Sequence, residues 1–327
     1  MTVLLGAEAL EGALGMREAI ELVEEASRHE AAGRTFVSPR LNTSFEGGWM
    51  RMMFAADYEA GYAATKVYHM VEGAGVRYVV SLYRLSDGAL ACVLDGRLVT
   101  DLRTGAASAV VARRVPQRDA VEVGVLGSGH QARMQLESLA EVYPVRSAAV
   151  FSPTPAHREA FAAETAAKLG FPVAACASAE AAVRGKSVVV AATSHRGADP
   201  VLRAEWLEGC RLLCAVGSTR PQSVEVDPRC FAHAALVVVD SARAIEEAGD
   251  LQRAAGSGAL QKERLASLAE IVARLKPVPD AGMVVFKSVG TALQDLALAR
   301  RLYELLEASG VRAGGIASLK KPVGARG

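Results

Sequence analysis

Apolar and polar positions follow two different patterns along this chain. From about residue 118 onward, solid apolar runs alternate with stretches of helical period. Val121–Leu126, Ser147–Phe151, Ser187–Ala192, Arg211–Val216 and Leu236–Asp240 are short, rich in Val, Leu and Ala, and bounded by Gly, Pro or polar residues. Runs of this kind are strands buried on both faces. Between them, the stretch from Gly129 to about Val142 and the stretch Pro155–Leu169 read as helices. Strand alternating with helix predicts a Rossmann-type doubly wound parallel sheet over residues 118–292.

Residues 1–117 read differently. Met16–Ala32 sets Ile20, Val23 and Ala26 or Ser27 on one helical face, and Gly33 stops the helix. Strand-like pieces follow at Trp49–Ala55, Tyr62–His69, Val76–Leu85 and Ala89–Leu94, with hairpin signals at Ser86-Asp-Gly88 and Asp95-Gly96. Leu98–Leu102 reads as a further strand, with a helix beginning at Arg103. The expectation is a mostly antiparallel α+β domain supplying a substrate wall and a dimerisation surface. A last helix, Ala292–Ser309, is expected to run back to it, so that 293–327 completes a discontinuous domain. The Gly-, Lys- and Arg-rich end from Ala313 reads as a loose tail.

The junction between the two patterns carries the first chemistry. Val121–Leu126 empties into Gly127-Ser128-Gly129-His130-Gln131-Ala132, a G-x-G-x-x-A turn that opens a helix. Gly127 permits the tight turn, Gly129 lets backbone N–H groups approach a pyrophosphate, and Ala132 lets helix and strand pack closely. A strand-to-helix turn without ligand is the plainer alternative. Where NAD sites place an acid on the ribose, roughly 20 residues further on, this chain has Ser152-Pro-Thr154-Pro-Ala-His-Arg158. Two hydroxyls and a guanidinium suit a 2′-phosphate, which favours NADPH over NADH. Thr154 as a helix cap and Arg158 as a solvated residue remain compatible with NADH.

Composition narrows the class. A chain of 327 residues with 51% hydrophobic content supports two full cores, and a net charge of +1 offers no basic field for nucleic acid. Five cysteines, an odd number without a C-x-x-C pair, read as reduced thiols and a cytoplasmic home. Cys210 and Cys214 read as small buried hydrophobes, with no metal expected. No segment reaches the roughly 18 apolar residues of a membrane span.

Isolated cations lie in apolar surroundings: Arg40 after Ser38-Pro39, Arg51 within Trp49–Phe54, Lys66 within Ala63–Tyr68, and Arg103 before Thr104-Gly-Ala-Ala. A buried charge must be paired. Arginine forks suit a carboxylate, and a lysine of lowered pKa suits proton transfer. Each taken alone is more often a solvated or structurally paired cation.

Ser38-Pro-Arg40, Arg51-Met-Met53, Thr65-Lys66, Asp95–Ala107, Gly127–Ala132, Ala215-Val-Gly217-Ser-Thr-Arg-Pro221, Glu225 and Val285-Phe-Lys-Ser288-Val-Gly290 together resemble, in order, the ornithine cyclodeaminase/mu-crystallin family. The resemblance runs over nearly the whole chain. It implies a homodimer whose nicotinamide domain faces a substrate domain, with members that are cyclodeaminases, alanine dehydrogenases or ketimine reductases. By that resemblance Arg40, Arg51 and Arg103 bind or surround the substrate carboxylate and Lys66 is the catalytic acid/base. Thr104, Val216, Gly217 and Ser288 would join the glycine turn, Ser152, Thr154 and Arg158 around the cofactor.

Two departures matter. Cyclodeaminase-type members have Gly-Gly-Asp-x-Pro-Gly-Lys-x-Glu where this chain has Gly217-Ser218-Thr219-Arg220-Pro221-Gln-Ser-Val-Glu225, so Thr219 replaces the amine-handling carboxylate. A hydroxyl cannot take a proton from an ammonium at neutral pH; ketimine reductases of the mu-crystallin type resemble this chain in having a small hydroxyl there. Phe54 stands where the family usually has Pro. The function expected is reduction of 2-imino acids, such as pyrroline- or piperideine-2-carboxylate, to L-amino acids. The alternatives are an amino-acid dehydrogenase, an ornithine cyclodeaminase and a non-catalytic small-molecule binder.

Overall fold

Apolar, aromatic and β-branched residues dominate three segments between Gly48 and Arg84, and the backbone answers with three long antiparallel strands. The computed structural model describes residues 2–308. In the first sheet, β1 is Val3–Leu5, β2 Thr35–Val37, β3 Leu41–Phe45, β4 Gly48–Asp57, β5 Tyr62–Val71, β6 Gly75–Arg84 and β7 Leu90–Asp95. They lie in the order β1-β7-β6-β5-β4-β2, with β3 also on β4. All pairings are antiparallel except β1 with β7. The period of two puts Trp49, Arg51 and Met53 on one face of β4 and sends Met50 and Met52 outward, where they are exposed. Register does the rest. Arg51 pairs with Tyr68 and Tyr68 with Tyr78, while Met53 pairs with Lys66 and Lys66 with Val80. One sheet face therefore carries Arg51, Tyr68, Tyr78 and Lys66 side by side.

The second sheet is entirely parallel. Its strands are β8 Val121–Leu126, β9 Val145–Phe151, β10 Val173–Ala175, β11 Val188–Ala191, β12 Leu212–Ala215, β13 Ala234–Val239, β14 Leu265–Ser267 and β15 Met283–Lys287. The order is β10-β9-β8-β11-β12-β15-β13-β14, so the chain winds outward in both directions from a switch point between β8 and β11. Ligands of such sheets sit beyond the strand ends at that point. The sequence pattern missed β10, β14 and β15. The first two have only three residues each, and β15 is the chain's last strand inserted between β12 and β13.

One stretch corrects the sequence reading. Asp95-Gly96 is not a hairpin turn, and Leu98–Leu102 is not a strand. Asp95 caps a helix, Gly96–Ala112, its carboxylate accepting from the Arg97 N–H at 2.9 Å. Val99, Leu102, Ala106 and Val110 recur at helical spacing and are buried. An Asp-Gly pair serves either element; here the cap uses the Asp and the helix core decides. This helix packs on the helix His130–Ala140 and so joins the two sheets. The helix Ala292–Ala308 returns to the first sheet and packs across β4, β5 and β6. Ser309, the expected end of that helix, and the tail from Ala313 lie outside the described residues.

Candidate active site

A cleft of about 880 Å3 opens at the switch point. The parallel sheet contributes Gly127, Ser128, Gly129 and Gln131 after β8, Ser152 and Thr154 after β9, and Val216, Gly217 and Thr219 after β12. The antiparallel sheet contributes Trp49, Arg51, Tyr68 and Tyr78. Gly127 is required twice over: its φ is +105°, and a Cβ there would run into the Ala192 carbonyl at the end of β11. Gly129 faces open space, where a pyrophosphate can approach the helix N-terminus at His130. Ser128 Oγ donates to Ser152 Oγ at 3.0 Å. The residues present fit a dinucleotide.

Beside the cleft lies a cluster of buried charge. Lys66, 2% exposed, donates from Nζ to Asp295 Oδ1 and to Thr100 Oγ1, each at 2.7 Å. Arg103 donates from Nε to the same Asp295 oxygen at 3.3 Å. Nζ also lies 5.7 Å from the centre of the Tyr68 ring and 5.3 Å from that of Tyr78, the two rings being stacked at 5.6 Å. Burial pushes the Lys66 ammonium down to about 8; Asp295 resists the fall, and Arg103 and Arg40 add to it. A lysine so placed exchanges a proton near neutral pH. Asp295 Oδ2 is buried with no hydrogen-bond partner among the described residues, an acceptor left for a ligand N–H.

Carboxylates hold this arrangement in place, and sequence reasoning overlooked most of them. Asp240, after β13, accepts from Ser288 Oγ at 2.5 Å and from the N–H groups of Val289 and Gly290 at 3.0 and 2.9 Å. Arg40 donates to the carbonyls of Val289 and Gly290, both at 2.9 Å, and pairs with Glu247 at 3.3 Å. Gly290 adopts φ +78°, and a Cβ on it would collide with the Arg103 guanidinium. Glu225, fully buried, accepts from Thr193 N at 2.6 Å, Gly217 N at 3.0 Å and Ser218 N at 3.2 Å, fixing the loops after β11 and β12. Asp250 in turn accepts from the N–H groups of Glu225 and Val226 and pairs with the buried Lys287 at 2.8 Å.

A family model described as "Ornithine cyclodeaminase/mu-crystallin family" matches residues 1–310. The chain belongs to this family. The alanine dehydrogenase of Archaeoglobus fulgidus is 31% identical over 318 residues, 93% of this chain and 94% of its own. The iminosuccinate reductase of Paracoccus denitrificans is 30% identical over 233 residues, 71% of each chain. The structure of Thermococcus litoralis Delta(1)-pyrroline-2-carboxylate reductase in complex with NADH and L-proline has a TM-score of 0.89 at 29% identity, covering 96% of this chain and 100% of that one.

Within this family fold, the residues expected from sequence separate into groups. Lys66, Arg103 and Arg40 cluster around Asp295 and the Gly290 loop. Arg51 stands apart from them, its guanidinium 5.0 Å from the Trp49 ring centre and 5.9 Å from that of Tyr68. Gly127, Ser128, Gly129, Gln131, Ser152, Thr154, Val216, Gly217 and Thr219 line the cleft. Thr104 does not: it is buried in its helix, with Oγ1 donating to the Thr100 carbonyl at 2.8 Å. Ser288 is spent on Asp240, and Ala132 is buried against the strand. His130 is exposed and hydrogen-bonded to Arg97. Arg158 donates to the Ser152 carbonyl at 2.9 Å. Asp295, Glu247 and Arg220 were missed. Asp295 sits in the last helix with nothing local to mark it, and only the return of that helix to the sheet brings it to Lys66.

Proposed function

We propose that the protein is an NAD(P)H-dependent reductase that converts 2-imino acids to L-amino acids. The observation that carries this reading is Lys66, buried beside a dinucleotide cleft with Asp295 and Arg103, in a chain where Thr219 occupies the cleft position of the amine-handling carboxylate. Bound in the cleft, the nicotinamide supplies a hydride. Arg103 and Arg40 offer forks to the C1 carboxylate, orienting C2. Lys66 holds the proton that completes the amine, and Asp295 keeps the lysine charged while its free oxygen accepts the substrate N–H. Thr219 can hydrogen-bond the nitrogen but cannot take its proton. Cyclic ketimines and the imines of 2-oxo acids are the substrate class; a relative named for iminosuccinate and a neighbour holding L-proline support that breadth.

Ser128, Ser152, Thr154 and Arg158 support NADPH as the preferred cofactor, with NADH accepted. Exposed Phe36, Leu41, Phe45, Met50 and Met52 on β2–β4 support a homodimer through that edge. The five thiols are all free, which supports a reducing, cytoplasmic setting. No described helix is long and apolar enough to cross a membrane. A second reading, oxidation of an amino acid as in the alanine dehydrogenase relative, runs the same hydride step backwards. The test is NADPH oxidation across pyrroline-2-carboxylate, piperideine-2-carboxylate and 2-oxo acids with ammonium or methylamine. Imine-dependent oxidation supports the reductase; turnover confined to amino acid with NAD(P)+ supports the dehydrogenase.

A further inference from the structure

Two arginines of the cleft approach one aromatic ring from different sheets, and neither forms an ion pair among the described residues. The Arg51 guanidinium, on β4, lies 5.0 Å from the centre of the Trp49 ring, and that of Arg220, in the loop after β12, lies 5.3 Å from it. The neighbouring arginines are matched, Arg40 with Glu247 and Arg103 with Asp295. Among the described residues, no carboxylate is within ion-pair distance of Arg51 or Arg220. Glu247 feels the charge of Arg51 but is already held by Arg40 at 3.3 Å. Arg196, after β11, adds a third positive charge; burial first, then the charges of Arg51 and Arg196, push the Arg220 pKa down.

Like charges gathered in a half-buried wall without an anion are unfavourable, yet this wall is held in place. The Arg220 carbonyl accepts from the N–H groups of Ser223 and Gly249, each at 3.1 Å. A Cβ at Gly249 would collide with the carbonyls of Pro221 and Ser223, so the loop seats tightly against that helix start. Two planar forks on one ring, preorganised and unpaired, form a receptor for a carboxylate.

Its position says which carboxylate. The Tyr68 ring lies between this pair and the reacting end, with Lys66 Nζ 5.7 Å and the Arg51 guanidinium 5.9 Å from its centre. The pyrophosphate site is elsewhere, at the turn after β8. Thr219, next to Arg220, lines the same cleft.

We infer that Arg51 and Arg220 form a second carboxylate subsite and that the substrate is a dicarboxylic 2-imino acid, with C1 toward Arg40 and Arg103 and its side-chain carboxylate against Trp49. The inference rests on the reductase reading. The step is unchanged: C2 takes the hydride, nitrogen takes a proton, the C=N double bond becomes single, and the cofactor is oxidised.

The experiment compares NADPH oxidation with imines formed from ammonium and oxaloacetate or 2-oxoglutarate against those from ammonium and pyruvate or 2-oxobutanoate. The wild type is expected to show kcat/KM about tenfold or more higher for the dicarboxylic pair, as a lost charged contact costs at least that much. Arg51→Met and Arg220→Met are each expected to cut the dicarboxylic-to-monocarboxylic ratio by about tenfold, through KM. An unchanged unfolding midpoint shows that the variants fold. A monocarboxylic preference in the wild type, or equal loss for both classes in folded variants, overturns the inference. If no imine is reduced, the reductase reading fails on its own. Calorimetry with succinate and propionate then decides the subsite: tighter succinate binding that is lost in Arg51→Met supports it, and equal binding refutes it.

Discussion

Replacing Asp295 with Asn leaves two buried cations facing a neutral amide, and the two respond differently. At 2.7 Å the Lys66–Asp295 attraction is about 6 kcal/mol at an effective dielectric of 20. Losing even half of it lowers the Lys66 pKa from about 8 by roughly 2 units, since one unit is about 1.4 kcal/mol. The ammonium escapes by deprotonating. At pH 7 that limits its share of the stability loss to about 1.4 kcal/mol, the cost of removing a proton held by one unit. Arg103 cannot deprotonate and carries the remainder, for a total of about 2–4 kcal/mol. The protonated fraction of Lys66 at pH 7 falls about tenfold, and kcat for imine reduction falls with it. Urea unfolding and a pH–rate profile measure both parts. The distinguishing result is rescue: activity of Asp295→Asn climbs as pH drops toward 6. A profile whose alkaline limb stays near pH 8 would refute the assignment of that limb to Lys66 and its partner.

Further outcomes follow from the same geometry. In the unmodified enzyme, imine reduction declines as pH rises through about 8, because protonated Lys66 is the acid, while amino-acid oxidation rises over the same range; initial rates in both directions check the opposite signs. Ser152→Asp places a carboxylate against the 2′-phosphate and is expected to reverse a lower KM for NADPH than for NADH; an unmodified enzyme that binds NADH at least as tightly contradicts the 2′-phosphate assignment. Gly290→Ala strains a position at φ +78° and displaces the Arg103 guanidinium, so KM for the imino acid rises at least fivefold and unfolding costs at least about 1 kcal/mol less; wild-type KM would show that Arg103 is not a ligand.

The strands of the nucleotide domain were legible because burial on both faces writes solid apolar runs, and the glycine turn because Gly127 answers a positive φ and a backbone approach at once. Lys66 and Arg51 stood out as charges inside apolar runs, and the alternation of β4 and β5 turns that oddity into a shared face. The Asp95-Gly96 misreading came from local chemistry common to caps and hairpins; the helical period of Val99, Leu102 and Ala106 carried the correction but was outweighed by the turn signal. Asp295, Glu247 and Arg220 were illegible for another reason. Each gains its role from a partner far along the chain, 229 positions away for Lys66 and Asp295, and nothing local marks it. Arg220 was quoted only as part of a motif, and its place without an ion-pair partner among the described residues appears once Trp49 and Arg51 lie opposite.

In the proposed reaction, hydride passes from the bound nicotinamide to C2 of an imino acid. Turnover with NADPH carrying deuterium at the transferable C4 position, followed by mass spectrometry of the amino acid formed, tests this transfer. One deuterium at Cα is expected for each NADPH consumed. Proline and ammonia appearing from ornithine with no net loss of NADPH would contradict it, showing that Thr219 does not exclude cyclodeamination.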